Sequence, residues 1–409
     1  MTAGPVAASP AGGNPWRRVL ATPGAFGFVI PGILARFPIG MMSISILLFI
    51  SSVRHEYGTA GALSATAALG YAVSAPQLAR VADHVGQGRI LVLGAAACGL
   101  SGTVFVVCAL RAAPVWTLVA SAALMGAGTP AIGSMVRNRW SALLHGSPIL
   151  VTAFALESVA DEVIFIAGPV LATFLATGVF PAAGVVCSLV LVVGGSVVLA
   201  LNRSTEPPRT AGPRSTGSAL FLGPVIVIAG VNACFGAMWG SIDLATVSFG
   251  TERGHPSVVG LLLAAYGIGS SAAGIAYGAR EWKTPVPVIF QVSTGVMAVG
   301  IAPMLLVNQL PVAAVVLFVA GAASCPAMIA GMVLVQAGVP ASRRTEAMAW
   351  QSTAIWLGLA IGSSACGYLA DAFGSHAAYA FAMVCGGIGA AIAVGGRARI
   401  AREPALAAA

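Results

Sequence analysis

Of the chain's 409 residues, 58% are apolar and only 8% are charged, and the mean hydropathy is +0.94. A water-soluble domain carries about 25% charged residues, so the composition excludes a large soluble enzyme, a nucleic-acid-binding protein and a disordered scaffold. The formal net charge of +8 therefore needs another explanation than a nucleic-acid partner, and topology supplies it.

A helix that crosses a bilayer takes about 20 mostly apolar residues. Twelve such segments follow one another, over residues 24–51, 59–79, 90–110, 115–136, 151–176, 180–201, 219–248, 257–277, 286–306, 311–335, 347–370 and 376–395. The first follows Trp16-Arg17-Arg18 and is too long for the core of a signal peptide, so it is read as a retained helix. With the N-terminus in the cytoplasm, 16 of the 20 Lys and Arg fall on the cytoplasmic side. Only Arg54, Arg111 and Arg253 fall outside, and Arg36 lies within the first span. Cytoplasmic loops are enriched in Lys and Arg, so this split predicts twelve helices with both ends inside. An error of one span would scramble it. Nineteen of the twenty basic residues are Arg, a bias that fits a GC-rich bacterial genome and hence an inner-membrane location.

The seven cysteines, Cys98, Cys108, Cys187, Cys234, Cys325, Cys366 and Cys385, all sit in apolar segments without metal-ligand spacing. They read as small packing residues rather than as disulfides or a metal site. No phosphate-binding glycine loop, zinc-binding helix motif or nucleophile elbow occurs, so neither cofactor nor metal is expected.

The longest polar stretch, residues 202–218, is rich in Pro, Gly, Ser and Thr and follows the sixth span. The predicted organisation is thus a six-helix bundle over 1–201, a cytoplasmic linker over 202–218, and a second six-helix bundle with a short tail over 219–409. A weak internal repeat agrees. Shifted by 194, the fifth span overlays the eleventh: Ala155-Leu156-Glu157-Ser158 meets Ala349-Trp350-Gln351-Ser352, and Gly168 meets Gly362. One position thereby carries Glu157 in the first half and Gln351 in the second, polar in both but charged in only one.

Two local motifs complete the pattern. The loop after the second span reads Ala79-Arg80-Val81-Ala82-Asp83-His84-Val85-Gly86-Gln87-Gly88-Arg89, and the fifth span contains Ala167-Gly168-Pro169. With two parallel six-helix halves, the chain resembles the major facilitator superfamily of secondary transporters. Its loop is similar to that family's G-x-L-x-D-R-x-G-R-R/K motif, with Asp83 and Gly86 in register and Arg89 displaced by one. Gly168-Pro169 is similar to the helix-packing motif of the antiporter branch. The resemblance implies an all-α membrane protein of twelve transmembrane helices in two pseudo-symmetric bundles. It further implies a small-molecule site between the halves near the bilayer midplane, a cytoplasmic gate at Asp83, Gly86 and Arg89, and a monomer.

Ionisable side chains inside the bilayer each cost at least about 2.5 kcal/mol on insertion scales and call for a reason. Arg36 lies in the first span beside Pro38, which removes a backbone hydrogen bond and is expected to kink or widen the helix, freeing carbonyls near the Arg. In the fifth span Glu157 and Asp161 are four residues apart, about 40° around the helix, and so share a face; Glu162 points to a different neighbour. A network of Arg36 with Glu157 and Asp161 is therefore predicted. Asp243 in the seventh span, Glu162 and Gln351 complete the candidate proton-coupling or substrate-binding set, while Arg137 and Arg139 read as interfacial anchors with the option of pairing with the acids. The function expected from these residues is proton-coupled export of small organic molecules. An uptake symporter for a sugar or organic acid, with Arg36 holding an anion, is the alternative within transport, and a polytopic membrane enzyme or a sensor is the alternative outside it.

Overall fold

Proline and glycine set where this chain breaks, and hydrophobic length sets what lies between. The computed structural model describes residues 14–54, 57–208, 217–255, 258–280 and 282–402. A short α1 (Pro15–Leu20) precedes the first span, which is built of α2 (Ala25–Arg36) and α3 (Pro38–Arg54). The second and third spans are α4 (Tyr57–Val85) and α5 (Gln87–Leu110), and the fourth is divided into α6 (Val115–Gly128) and α7 (Ile132–Leu143). The fifth and sixth are α8 (Leu150–Gly178) and α9 (Ala183–Leu201). After the linker come α10 (Gly223–Glu252), α11 (Val259–Gly278) and α12 (Val286–Gly300). The tenth span is α13 (Leu310–Ala322) with α14 (Ser324–Gly338). The last two form α15 (Arg344–Gly395), divided at Gly374, and α16 (Arg397–Arg402) closes the described chain. Residues 209–216 of the predicted linker lie outside the described residues.

The protein is an all-helical membrane protein. Eleven spans among the described residues have the length and apolarity to cross a bilayer. The remaining predicted one, α4, has 29 residues but is diluted by Gly, Ala, Ser and Thr, and its packing explains why. Gly70 lies against the backbone of Ala123, where a Cβ would approach to 2.4 Å. Ala75 and Ala79 pack with Ala131 and with Ala349 of the second half. Small residues let backbones approach closely where lipid provides no hydrophobic drive between helices. The same chemistry joins α3 to α8. A Cβ on Gly40 would lie 2.3 Å from the Ile164 carbonyl oxygen, and one on Gly168 would lie 2.6 Å from the Gly40 backbone. Pro169 follows inside α8. Large apolar side chains cover the outside, among them Leu100 at 71% exposure and Trp116 at 71%, as suits a surface whose solvent is hydrocarbon.

Where a kink or widening was expected, the first span is divided at Phe37, between Arg36 and Pro38. Because Pro38 has no N–H, the Leu34 carbonyl is met at 3.3 Å by the Phe37 N–H instead. Arg36 consequently occupies the last turn of α2, where the helix C-terminus favours a positive side chain.

Helices α4, α7 and α8 of the first half meet α11, α14 and α15 of the second. Call the end of the bundle that carries residues 202–208 the linker side. There Asn138 Nδ2 donates to Thr345 Oγ1 at 2.7 Å, Thr152 Oγ1 donates to the Gly278 carbonyl at 2.7 Å, and Arg80 Nε lies 3.8 Å from Glu346 Oε2. Further along, Thr353 Oγ1 donates to the Ala72 carbonyl at 3.4 Å, and Ser270 Oγ donates to Glu162 Oε1 at 2.6 Å. The hydrogen bonds joining the halves among the described residues thus run from the linker side to the level of Glu162. The Phe165 and Trp356 rings meet across the halves near that level, 5.8 Å apart. The bundle is sealed on the linker side.

Candidate functional site

The Arg36 guanidinium is almost fully buried, and each of its nitrogens has an acceptor. Nε donates to the Gly32 carbonyl one turn back at 3.2 Å, Nη1 donates to Asp161 Oδ1 at 3.0 Å, and Nη2 is ion-paired with Glu157 Oε2. Glu157 and Asp161 thus share a face of α8, as their spacing requires. Two residues from α7 extend the network beyond the predicted trio. Trp140 Nε1 donates to Glu157 Oε1 at 2.8 Å, and Arg137 Nη2 is ion-paired with Asp161 Oδ2. Tyr71 of α4 stands within electrostatic reach of Asp161, Arg137 and Arg36. Two carboxylates and two guanidiniums make a charge-balanced quartet, in which Glu157 shares Arg36 with Asp161 and Asp161 has Arg137 besides. Charges buried together persist only when paired and hydrogen-bonded; every charge of this set is paired, and only Arg137 Nε is buried without an acceptor.

The quartet is graded in access. Glu157 is 0% exposed and Arg36 1%, whereas Asp161 is 27% exposed. The neighbouring Glu162 leaves the quartet altogether and takes the Ser270 hydroxyl of the other half. The two adjacent acids therefore stand on the seam between the halves, one facing each way.

In the second half, Trp239 Nε1 donates to Tyr266 Oη at 2.8 Å, and Tyr266 Oη bonds Ser324 Oγ at 2.6 Å. These bonds tie α10 to α11 and α14. Asp243 lies one turn beyond Trp239. Its side chain is exposed and has no hydrogen bond or ion pair among the described residues. Gln351, expected in the site, is placed elsewhere. It lies on the face of α15 turned to α10, 3.5 Å from Asn232 Nδ2 through Oε1, and its buried Nε2 has no partner. Ala349 and Thr353 occupy the face of α15 turned to α4, so the helical period directs Gln351 away from the other half. Glu157 and Gln351, aligned by the sequence repeat, thus each meet a residue of an earlier helix, Arg36 of α2 by an ion pair and Asn232 of α10 by an amide contact.

The loop motif divides likewise. Asp83, at the end of α4, accepts the Thr345 hydroxyl and, at 3.3 Å, the Glu346 N–H. It caps the first turn of α15 from across the halves, where exposed N–H groups and the helix dipole favour an anion. Burial pushes its carboxyl up to about 7, against the lowering effect of those hydrogen bonds. Gly86 has φ +104°, a conformation that L side chains disfavour, and it makes the turn into α5. Arg89 is exposed and has no partner among the described residues, so it takes no part in the cross-half contacts. Arg139, four positions before the end of α7, bonds Gln87, the Leu199 and Asn202 carbonyls and Thr205 instead of an acid.

Sequence reasoning missed Trp140 and did not give Arg137 its place in the quartet. Their signal was a Trp and an Arg three apart at the linker-side end of a span, one helical turn on one face. Among the described residues no group of three or more His, Cys, Asp or Glu could hold a metal ion.

Helices joined across the linker side around a buried charged network make this a polytopic membrane protein with an ionic core. The Major Facilitator Superfamily model matches residues 32–280 and again 228–407, and the chain belongs to that superfamily. Among solved structures it is similar to a bacterial homologue of the iron transporter ferroportin in an outward-facing state. That likeness has a TM-score of 0.74 and 13% identity, over 91% of this chain and 99% of that one. It is also similar to the human organic anion transporter MFSD10 (TETRAN), with TM-score 0.67, 13% identity and coverage of 93% and 99%. A third likeness is to the transporter FucP in the outward conformation, with TM-score 0.64, 11% identity and coverage of 90% and 99%. No curated protein sequence matches the chain. At such identities the likeness establishes the fold alone, that of the Major Facilitator transporters, and the family match makes the chain a multi-pass membrane protein of that superfamily.

Proposed function

We propose that the protein exports small organic molecules across a bacterial inner membrane in exchange for protons, working as a monomer with both termini in the cytoplasm. The linker side is then the cytoplasmic side, in keeping with its excess of Arg, and the conformation is outward-facing. Likeness to two transporters whose structures are outward-facing supports that assignment. The two halves, 1–201 and 219–409, rock about the α4–α15 and α8–α11 contacts, with residues 202–218 as the tether.

The observation that carries the reading is the placement of Asp161 and Glu162. Adjacent in sequence, one closes the buried quartet and the other is bonded to Ser270 of the opposite half. A proton arriving from the open side meets these acids before it could meet Glu157, which is sealed behind Arg36 and Trp140. Protonating Asp161 removes the charge that holds Arg137 and part of Arg36, and protonating Glu162 weakens the charge-assisted bond across the seam. Proton occupancy thereby alters which pairing of the halves is favoured, the condition for coupling. The uptake alternative with an anion on Arg36 loses support, because all three guanidinium nitrogens already have acceptors.

The test is accumulation of a panel of fluorescent compounds by cells without their own pumps, expressing wild type, Glu162→Gln or Asp161→Asn, with and without an uncoupler. Lower accumulation in wild-type cells, restored both by the uncoupler and by the variants, supports proton-coupled export. Higher accumulation in wild-type cells makes the protein an importer.

A further inference from the structure

Asp243 occupies a defined position among the packing strips of α10. Gly236 and Gly240 press that helix onto α15; a Cβ at Gly240 would lie 2.5 Å from the Leu359 carbonyl oxygen. Trp239 ties it to α11 and α14 through Tyr266 and Ser324. At about 100° per residue, Asp243 falls on the arc between these two strips. Helices α15, α11 and α14, onto which these two strips pack, are those that touch α4 and α8 of the first half. The arc of α10 between them therefore faces the first half across the cleft, above the seal.

An exposed, unpaired carboxylate at membrane depth is costly unless its site is wet or serves a ligand. The sign of charge in the cleft is equally one-sided. The positive members of the quartet, Arg36 and Arg137, are 1% and 6% exposed and lie behind carboxylates. The groups that face the cleft or its seam are Asp161, Glu162 and Asp243, and Tyr266 stands within electrostatic reach of both Glu162 and Asp243. Beside Asp243 are an indole and a phenol held rigidly by hydrogen bonds. Aromatic faces attract organic cations through the ring quadrupole, whereas the described residues offer no metal cluster.

We infer that the cleft binds an organic cation, with Asp243 as its counter-ion, the Trp239 and Tyr266 rings as its platform and Glu162 as the deeper carboxylate. This names the substrate class of the proposed export site and rests on that reading only for the direction of movement. Cation and proton then compete for the same negative cleft. Arrival of a proton at Glu162 lowers its hold on the cation, and the cation leaves toward the open side.

The experiment is equilibrium binding to purified full-length protein in detergent, with ethidium and tetraphenylphosphonium as cationic probes, fluorescein as an anionic probe and Mn²⁺ alone as a metal probe. Wild type should bind at least one cationic probe saturably and should bind fluorescein no better than empty micelles. Asp243→Asn should weaken cation binding about tenfold or more, one decade in Kd being a modest loss for a counter-ion. Asp243→Glu should retain most of it, which separates charge from folding, and Trp239→Leu should weaken it without changing the preference for cations. Unchanged affinity in Asp243→Asn, no saturable cation binding, preferential fluorescein binding, or Mn²⁺ binding abolished by Asp243→Asn would each overturn the inference. Failure of the two ideas is distinguishable. A protein that exports only neutral or anionic compounds keeps the proposed function and loses this site, whereas a cation-binding protein that moves nothing against an uncoupler-sensitive gradient does the reverse.

Discussion

Arg36 and Glu157 form an ion pair that is closed to solvent on both sides, with Trp140 capping the second carboxylate oxygen. Breaking a buried pair by removing one partner leaves an uncompensated charge, typically about 3–5 kcal/mol of destabilisation. Glu157→Leu should therefore lower the thermal midpoint in detergent strongly, because Arg36 and Arg137 then face Asp161 alone. Arg36→Met combined with Glu157→Leu should recover part of the loss. A double variant no more stable than the singles would show that the two charges are independent.

The latch at Asp83 should respond to pH. Its carboxyl is pushed up to about 7 by burial against Thr345 and Glu346, while in an opened, hydrated linker side it would return toward its ordinary value of 3.8. Between those values the sealed state holds more protons than the opened one. The seal is thus favoured at lower pH and is progressively lost as pH rises through about 7. An Ala349→Cys side chain, buried against Ala75 and Ala79 of the first half in the sealed state, should be labelled faster at pH 8 than at pH 6 when Asp83 is intact. The difference should shrink in Asp83→Asn.

The α3–α8 crossing should tolerate no side chain. Gly168→Ala places a Cβ into the Gly40 backbone, and the overpacking should cost about 1–3 kcal/mol. Gly194→Ala is the control, since open space surrounds a Cβ there and alanine favours a helix interior. Thermal unfolding in detergent compares them, and equal midpoints would remove the close approach from the account.

Which parts were legible in sequence follows from the range over which each signal acts. Span positions, the distortion beside Pro38 and the shared face of Glu157 and Asp161 are local properties of hydrophobic length, a missing N–H and a helical period. Pairing of Arg137 with the acids was one of two readings its position allowed, and the role of Trp140 was not legible, because the bonding depends on how α7 lies across α8. The Gln351 assignment failed in direction. Repeat symmetry marked it as the counterpart of Glu157, yet both residues point into their own bundle, so symmetry located a pair and not a cleft. Arg89 followed a motif whose register had slipped by one, and the slip leaves it in solvent. The modest apolarity of α4 reflects the small residues that pack it against α6, α7 and α15.

The account stands most directly on Glu162, the acid that bonds the opposite half. In inside-out membrane vesicles, an imposed pH gradient should drive uptake of an exported compound into wild-type vesicles. Glu162→Gln, inserted at the same level, should lose the dependence on the gradient while still exchanging labelled for unlabelled compound at equilibrium. Gradient-driven uptake by Glu162→Gln equal to that of wild type would contradict the account.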